Sequence, residues 1–245
     1  MIFVTSWDDG SPFDLRLSTL MSKYGIRGNF YIPIFNSEGR SVLTTPDIRY
    51  LATGFDIGSH TYSHVYLDSV AGLQCEQEVV LGKKALEDCL GFPVEGFCYP
   101  GGRVTSEAKS IVKKSGFLHA RTTVNLCSSG VHDDFLIPTS FQFYNHGHSV
   151  FFRNLISGGV GYSRLRMFSR LMRSKSLFEF IHYLLESECS NDFVFHLWGH
   201  SWEIDQFLGW HRLEEIFKFV SELRITTASV NDLYRLKKIP GRTYG

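Results

Sequence analysis

A chain of 245 residues that is 43% hydrophobic and 15% aromatic, with 21 Phe, can bury a large core and excludes global disorder. Lys+Arg and Asp+Glu both total 25, so the zero balance asks for neither nucleic acid nor a charged membrane as partner. No apolar run reaches the length of a transmembrane segment.

Short apolar runs alternate with helical patterns from the start. "MIFVTS" predicts a strand, "DLRLSTLMSKYG" a helix with Leu17, Leu20, Met21 and Tyr24 on one face, and "GNFYIP" a second strand. "TTPDIRYL" opens a helix with Pro46 in its first turn, "FDIGSH" is a strand, and "CEQEVVLGKKALEDCLG" is a long amphipathic helix ending at Gly91. The strand "EGFCYP", the helix "SEAKSIVKKSG" and the strand "FLHART" follow. From about 124 to about 190 the regularity breaks into an irregular and helical insert. Within it "FLIPTSFQFYN" is strand-like and "SRLRMFSRLMRSKSLFEFIHYLLESE" helical. The strand "DFVFHLWGH", the helix "HRLEEIFKFVSEL", the strand "ITTAS" and a last helix capped by Ser229 complete one domain over 1–245. Repeated β-then-α units imply parallel strands, in an α/β barrel or a doubly wound sheet.

Polar Thr5, Ser6, Asp8 and Asp9 follow closely on Met1 and fit no secretory leader. Five scattered cysteines (Cys75, Cys89, Cys98, Cys127, Cys189) without a C-x-x-C pair fit reduced thiols. A cytoplasmic protein is expected.

Two adjacent carboxylates, Asp8 and Asp9, end the first strand. Like charges at a half-desolvated strand end repel, unless a cation sits beside them. His60 and His64 stand one helical turn apart, so both imidazoles can face one divalent ion. The zincin pattern would need Glu where Thr61 stands, which counts against a metalloprotease. Two imidazoles and one carboxylate, with Asp9 the candidate, make a three-ligand set with open positions, leaving Asp8 beside the ion as a proton acceptor.

"TSWDDG" and "HTYSH" together resemble the polysaccharide deacetylase superfamily, carbohydrate esterase family 4, which pairs a T-F-D-D-G motif with H-[ST]-x-x-H. "GNFYIP" and "GFPVEGFCYPGG" are similar to further motifs of that family. The resemblance implies a distorted (β/α)7-type barrel, Asp8 as catalytic base, and Asp9, His60 and His64 as ligands of Zn²⁺ or another divalent ion. Where the family carries an Arg to hold the base, Cys98 stands here, and Arg121 in "LHART" is the candidate replacement. Tyr99 is expected to offer a backbone N–H to the developing oxyanion. "WGH" is similar to the family's closing motif and makes His200 the general acid, with His196 a deeper second choice and Glu203 or Asp205 its orienting acid. Trp7, Pro100, Gly101, Trp198 and Trp202 are expected to contact substrate, whereas Asp133 and Asp134 read as loop acids.

The run from Arg164 to Lys175 reads as the solvated face of an amphipathic helix, with Leu165, Phe168 and Met172 on its other side; an anionic contact is the alternative. The implied activity is removal of an N-acetyl or N-formyl group from an amino sugar, free, nucleotide-linked or lipid-linked, in cell-surface polysaccharide biosynthesis. An amidase of the same barrel acting on a cyclic imide or ureide, or a binding module without turnover, are the rivals.

Overall fold

The computed structural model describes residues 1–128, 133–144, 148–157, 161–187 and 193–238. Its strands are β1 (Ile2–Asp8), β2 (Gly28–Ile32), β3 (Asp56–Ser59), β4 (Gly96–Cys98), β5 (His119–Arg121), β6 (Phe141–Gln142), β7 (Val194–His200) and β8 (Thr226–Ala228). All their pairings are parallel, in the order β5-β4-β3-β2-β1-β7-β6 with β8 added to β1. The helices are α1 (Asp14–Lys23), α2 (Thr45–Leu51), α3 (Gly72–Leu90), α4 (Ser106–Lys114), α5 (His148–Ser157), α6 (Tyr162–Arg173), α7 (Leu177–Ser187), α8 (Ser201–Gln206), α9 (Trp210–Glu222) and α10 (Val230–Lys237).

The two ends of this curled sheet are joined by the chain between β5 and β7. Ile137 N–H donates to the Ala120 carbonyl and Thr122 N–H to the Ile137 carbonyl, both at 2.9 Å. Six residues on, Phe143 N–H donates to the Trp198 carbonyl at 2.6 Å. Part of the stretch that looks irregular in sequence therefore closes the wall of a distorted barrel.

β1 lies at the centre, buried along its whole length. Its odd positions face outward, where Phe3 stacks on Phe195 and both Phe3 and Trp7 meet Phe217 of α9 edge-on. Its even positions face the barrel axis and change character with height. Ile2 and Val4 join Ile137, Val194, Ala228, Val230 and Leu233 in an apolar plug. Ser6 meets His196 Nε2 at 2.8 Å one layer up, and Asp8 stands at the mouth. Strand alternation thus carries an apolar pattern at one end of β1 into a polar one at the C-terminal end, where parallel barrels keep their chemistry.

Ser229 caps α10 as expected, through a reciprocal pair with Asp232. Two helices, α5 and α8, carry no clear period in the sequence. The basic run is helical as α6, but Arg164, Met167 and Leu171 form its buried face while Leu165 is exposed. Buried Arg164 donates to the carbonyls of Asn125 (3.0 Å) and Leu155 (3.2 Å), so it ties α6 to α5 and to the loop after β5 rather than facing solvent. Among the described residues no helix is long and apolar enough to cross a membrane.

Candidate active site

Asp8 ends β1, and the chain turns at Asp9 in a left-handed conformation (φ 77°) that aims its carboxylate across the mouth. His60 follows β3, and the His60–His64 segment is a loop rather than the helical turn its spacing suggests. Thr61 (φ 66°) and His64 (φ 58°) are both left-handed and fold the second imidazole back towards the first. Their ring centres are 5.1 Å apart.

Helix α3 holds this loop in place. Glu78 accepts from the backbone N–H of Tyr62 (3.1 Å) and Ser63 (2.8 Å) and from the Ser63 hydroxyl (2.7 Å). One turn on, Gly82 lets the helix touch the loop backbone, because a Cβ there would lie 2.7 Å from the Thr61 carbonyl carbon. Neither Glu78 nor Gly82 carries a sequence signal of its own.

Asp9, His60 and His64 offer ligand atoms within 4.8 Å of one another, all buried. Asp9 Oδ1 lies 3.0 Å from His64 Nε2 and 3.6 Å from His60 Nε2, yet accepts no hydrogen bond of acceptable geometry. His60 Nδ1 donates to the Cys98 carbonyl at 2.8 Å, which leaves its Nε2 lone pair pointing into the group. Electron pairs converging on a buried point without a proton between them fit a divalent cation. Burial alone would raise the Asp9 pKa, but the charge of His200 and contacts with His60 and His64 hold it well below the usual range.

Asp8 stands beside this group, 2% exposed, ion-paired through Oδ1 with fully buried Arg121. The Arg121 guanidinium lies 5.1 Å from the ring centres of both Tyr31 and Trp198, which fixes its plane. Cys98 Sγ approaches Asp8 Oδ2 at 3.6 Å, its thiol pushed well up by burial and so protonated. Burial raises Asp8 as well, but the neighbouring positive charges, Arg121 first, together outweigh it and keep the carboxyl ionised.

On the neighbouring strand, in register with Asp8, His200 places its Nε2 3.9 Å from Asp9 Oδ2, while its Nδ1 meets Glu203 Oε2 at 2.6 Å. Burial lowers its pKa, but Asp9 and Glu203 overcome this and push it up to about 9. Glu203, not Asp205, is therefore the acid on His200; Asp205 instead accepts from the Trp210 indole at 2.9 Å. His196 is the core histidine of the Ser6 layer, its Nδ1 3.2 Å from the Pro138 carbonyl.

Asp8, Asp9, His60, His64 and His200 border a cavity of about 330 Å³, also lined by Glu38, Arg40, Tyr66, Gly101, Asn125 and Arg153. Trp198 and Trp202 line it. Trp7 does not reach it: at an odd position of β1 it is fully buried against α9. Pro100 is buried in the turn after β4 and leaves Gly101 at the cavity wall. The expectation for Tyr99 also fails, because its N–H already donates to the Arg121 carbonyl at 3.1 Å and its ring packs on Phe97. Asp133 and Asp134 pair with lysines, Lys109 for the first and Lys237 and Lys238 for the second.

Residues 2–120 match the family model described as polysaccharide deacetylase. The chain belongs to the polysaccharide deacetylase superfamily. Within that superfamily, chitin deacetylase 1 of Cryptococcus neoformans var. grubii is 27% identical over 139 residues, 52% of this chain and 28% of that protein. Peptidoglycan-N-acetylglucosamine deacetylase of Bacillus cereus is 25% identical over 118 residues, 47% of this chain and 54% of that protein. The chain thus spans about a quarter and about half the length of these curated relatives. The fold is shared with a solved structure described as T48 deacetylase with substrate (TM-score 0.60, 14% identity, 100% of this chain and 96% of the other). It is shared also with a family 4 carbohydrate esterase from Streptomyces lividans in complex with acetate (TM-score 0.58, 13% identity, 93% and 91%).

Proposed function

We propose that this polysaccharide deacetylase superfamily member is a metal-dependent hydrolase that removes an N-acetyl or N-formyl group from an amino sugar. One observation carries the reading: Asp8, an acid paired with Arg121, stands beside the Asp9, His60 and His64 group without belonging to it, and the His200 imidazole, held by Glu203, lies 3.9 Å from the outer oxygen of Asp9.

Asp9, His60 and His64 would hold a divalent ion such as Zn²⁺, which would supply polarisation of the acyl carbonyl and a lowered pKa for water. Asp8 takes the proton of the attacking water, and Arg121 keeps that carboxylate ionised and immobile until it does. His200, held by Glu203, gives a proton to the departing amine nitrogen. Trp198 walls the cavity beside His200, its indole tied to Asn125 Oδ1 at 2.9 Å.

The rim and the cysteines support finer features of this reading. Arg153 lines the cavity and pairs with no acid among the described residues, which favours an amino sugar bearing a phosphate, nucleotide-linked or lipid-linked. Cys75, Cys89, Cys98 and Cys127 are all free, which supports a reducing compartment and a cytoplasmic precursor of a cell-surface glycan as substrate.

The test is acyl release from N-acetylated and N-formylated sugars, free, nucleotide-linked and lipid-linked, by the Zn²⁺-replete protein and by Asp8→Asn. The parent is expected to release the acid, chelator to abolish release, and Asp8→Asn to lose about 100-fold or more. Equal rates in parent and variant refute the assigned base. Turnover confined to cyclic imides or ureides points to the amidase, and binding without turnover to a module.

A further inference from the structure

Trp202 lies in the first turn of α8, and its indole N–H donates to Asp9 Oδ2 at 2.8 Å. The other oxygen, Oδ1, is the one that faces His60 and His64. The indole is itself held: the Arg40 guanidinium lies 4.1 Å from its ring centre, and the His200 ring 5.5 Å away at an interplanar angle of 31°. Arg40 is ion-paired with Glu38, whose Oε1 accepts from the Tyr66 hydroxyl at 3.3 Å. A chain of contacts thus runs from the loop after β2 through the indole to the Asp9 carboxylate.

We infer that Trp202 is a positioning residue for the cation site, fixing the rotation of the Asp9 carboxylate so that Oδ1 alone points at the two imidazoles. This rests on the reading of Asp9, His60 and His64 as cation ligands. A carboxylate with both oxygens free can turn about its terminal torsion, whereas a donor on the outer oxygen holds it in one orientation. The ring with Arg40 over it is not a clear platform for a sugar, the role its residue type suggests. It belongs to α8, on the far side of the mouth from the His60–His64 loop, and so ties the C-terminal strand–helix corner to the first.

Trp202→Phe keeps an aromatic face under Arg40 and removes the N–H together with the pyrrole ring that carries it. Zn²⁺ affinity, measured by competition with a chromophoric chelator and without substrate, is expected to fall about 10- to 100-fold, with kcat restored at saturating Zn²⁺. Unchanged Zn²⁺ affinity with a raised KM overturns the inference and makes Trp202 a substrate platform. Arg40→Ala, which unpins the indole without removing its donor, is expected to weaken Zn²⁺ about two- to fivefold, and parent-like affinity there counts against the inference even if Trp202→Phe does not fold. His60→Ala separates the two levels. If it binds Zn²⁺ like the parent, the cation reading itself is wrong; if it abolishes binding while Trp202→Phe does not alter it, only the positioning role falls.

Discussion

Asp8 is held by two donors of unequal strength, the Arg121 guanidinium on Oδ1 and the Cys98 thiol, 3.6 Å from Oδ2. A charged donor in a buried site dominates such a pair. Arg121→Met leaves the acid buried without a counter-charge, so the expected outcome is a loss of about 3–5 kcal/mol in urea unfolding together with loss of turnover. Cys98→Ala should cost far less on both counts, and comparable losses in the two variants would show that the thiol shares the task. Arg121 is legible in the sequence because the family resemblance leaves Asp8 without its usual Arg at Cys98, and the next strand ends in Arg-Thr. Trp7 is misread for a simple reason. Adjacent residues on a strand face opposite ways, so a tryptophan next to a mouth-facing acid points out of the barrel.

Most of the elements are legible, since strands of period two and helices of period 3.6 alternate cleanly through the first half of the chain. What escapes is structure set by tertiary contact. Helix α8 is only six residues long and owes its place to the barrel mouth, and the strand pairing of residues 134–143 is divided between β5 and β7. The His60–His64 loop is the sharpest case, for its four-residue spacing suits a helix, and only the clamp from α3 shows otherwise. Gly82 tests that clamp. In an exposed helix Gly→Ala stabilises by about 1 kcal/mol, but here the added Cβ meets loop backbone that cannot swing aside. Gly82→Ala is therefore expected to destabilise by about 1–3 kcal/mol and to weaken Zn²⁺ binding, measured by urea unfolding and chelator competition. A stabilised variant would show that the helix stands off the loop.

Across the whole molecule the barrel axis is polar above its plug. His119 is fully buried, its Nε2 2.9 Å from Asn231 Oδ1, and burial pushes its pKa down to about 4. His196 is pushed down to about 3, by burial first and the Arg121 charge second. Both imidazoles are neutral in the fold and take up a proton near pH 6.5 once the chain unfolds. Below that pH the unfolded state binds more protons, so their contribution is complete above about pH 6.5 and is lost as pH falls towards 4. Asp14, held well above its usual range by burial, works in the opposite direction, but it is common to the parent and a His119→Gln variant and cancels between them. The stability difference between these two proteins is expected to shrink by about 1.4 kcal/mol for each pH unit below 6.5, as read from urea midpoints of the metal-free chains. A constant difference would mean that His119 titrates normally.

The central place of β1 has a consequence for biosynthesis. One edge of this strand is filled by residues 194–200, and the other is completed by residues 226–228. During synthesis β1 must then wait, without most of its neighbours, for chain made nearly two hundred residues later. Its Phe3 and Trp7 side chains stay open to chaperones throughout that interval, and the mouth of the barrel can assemble only after residues 194–200 have been made.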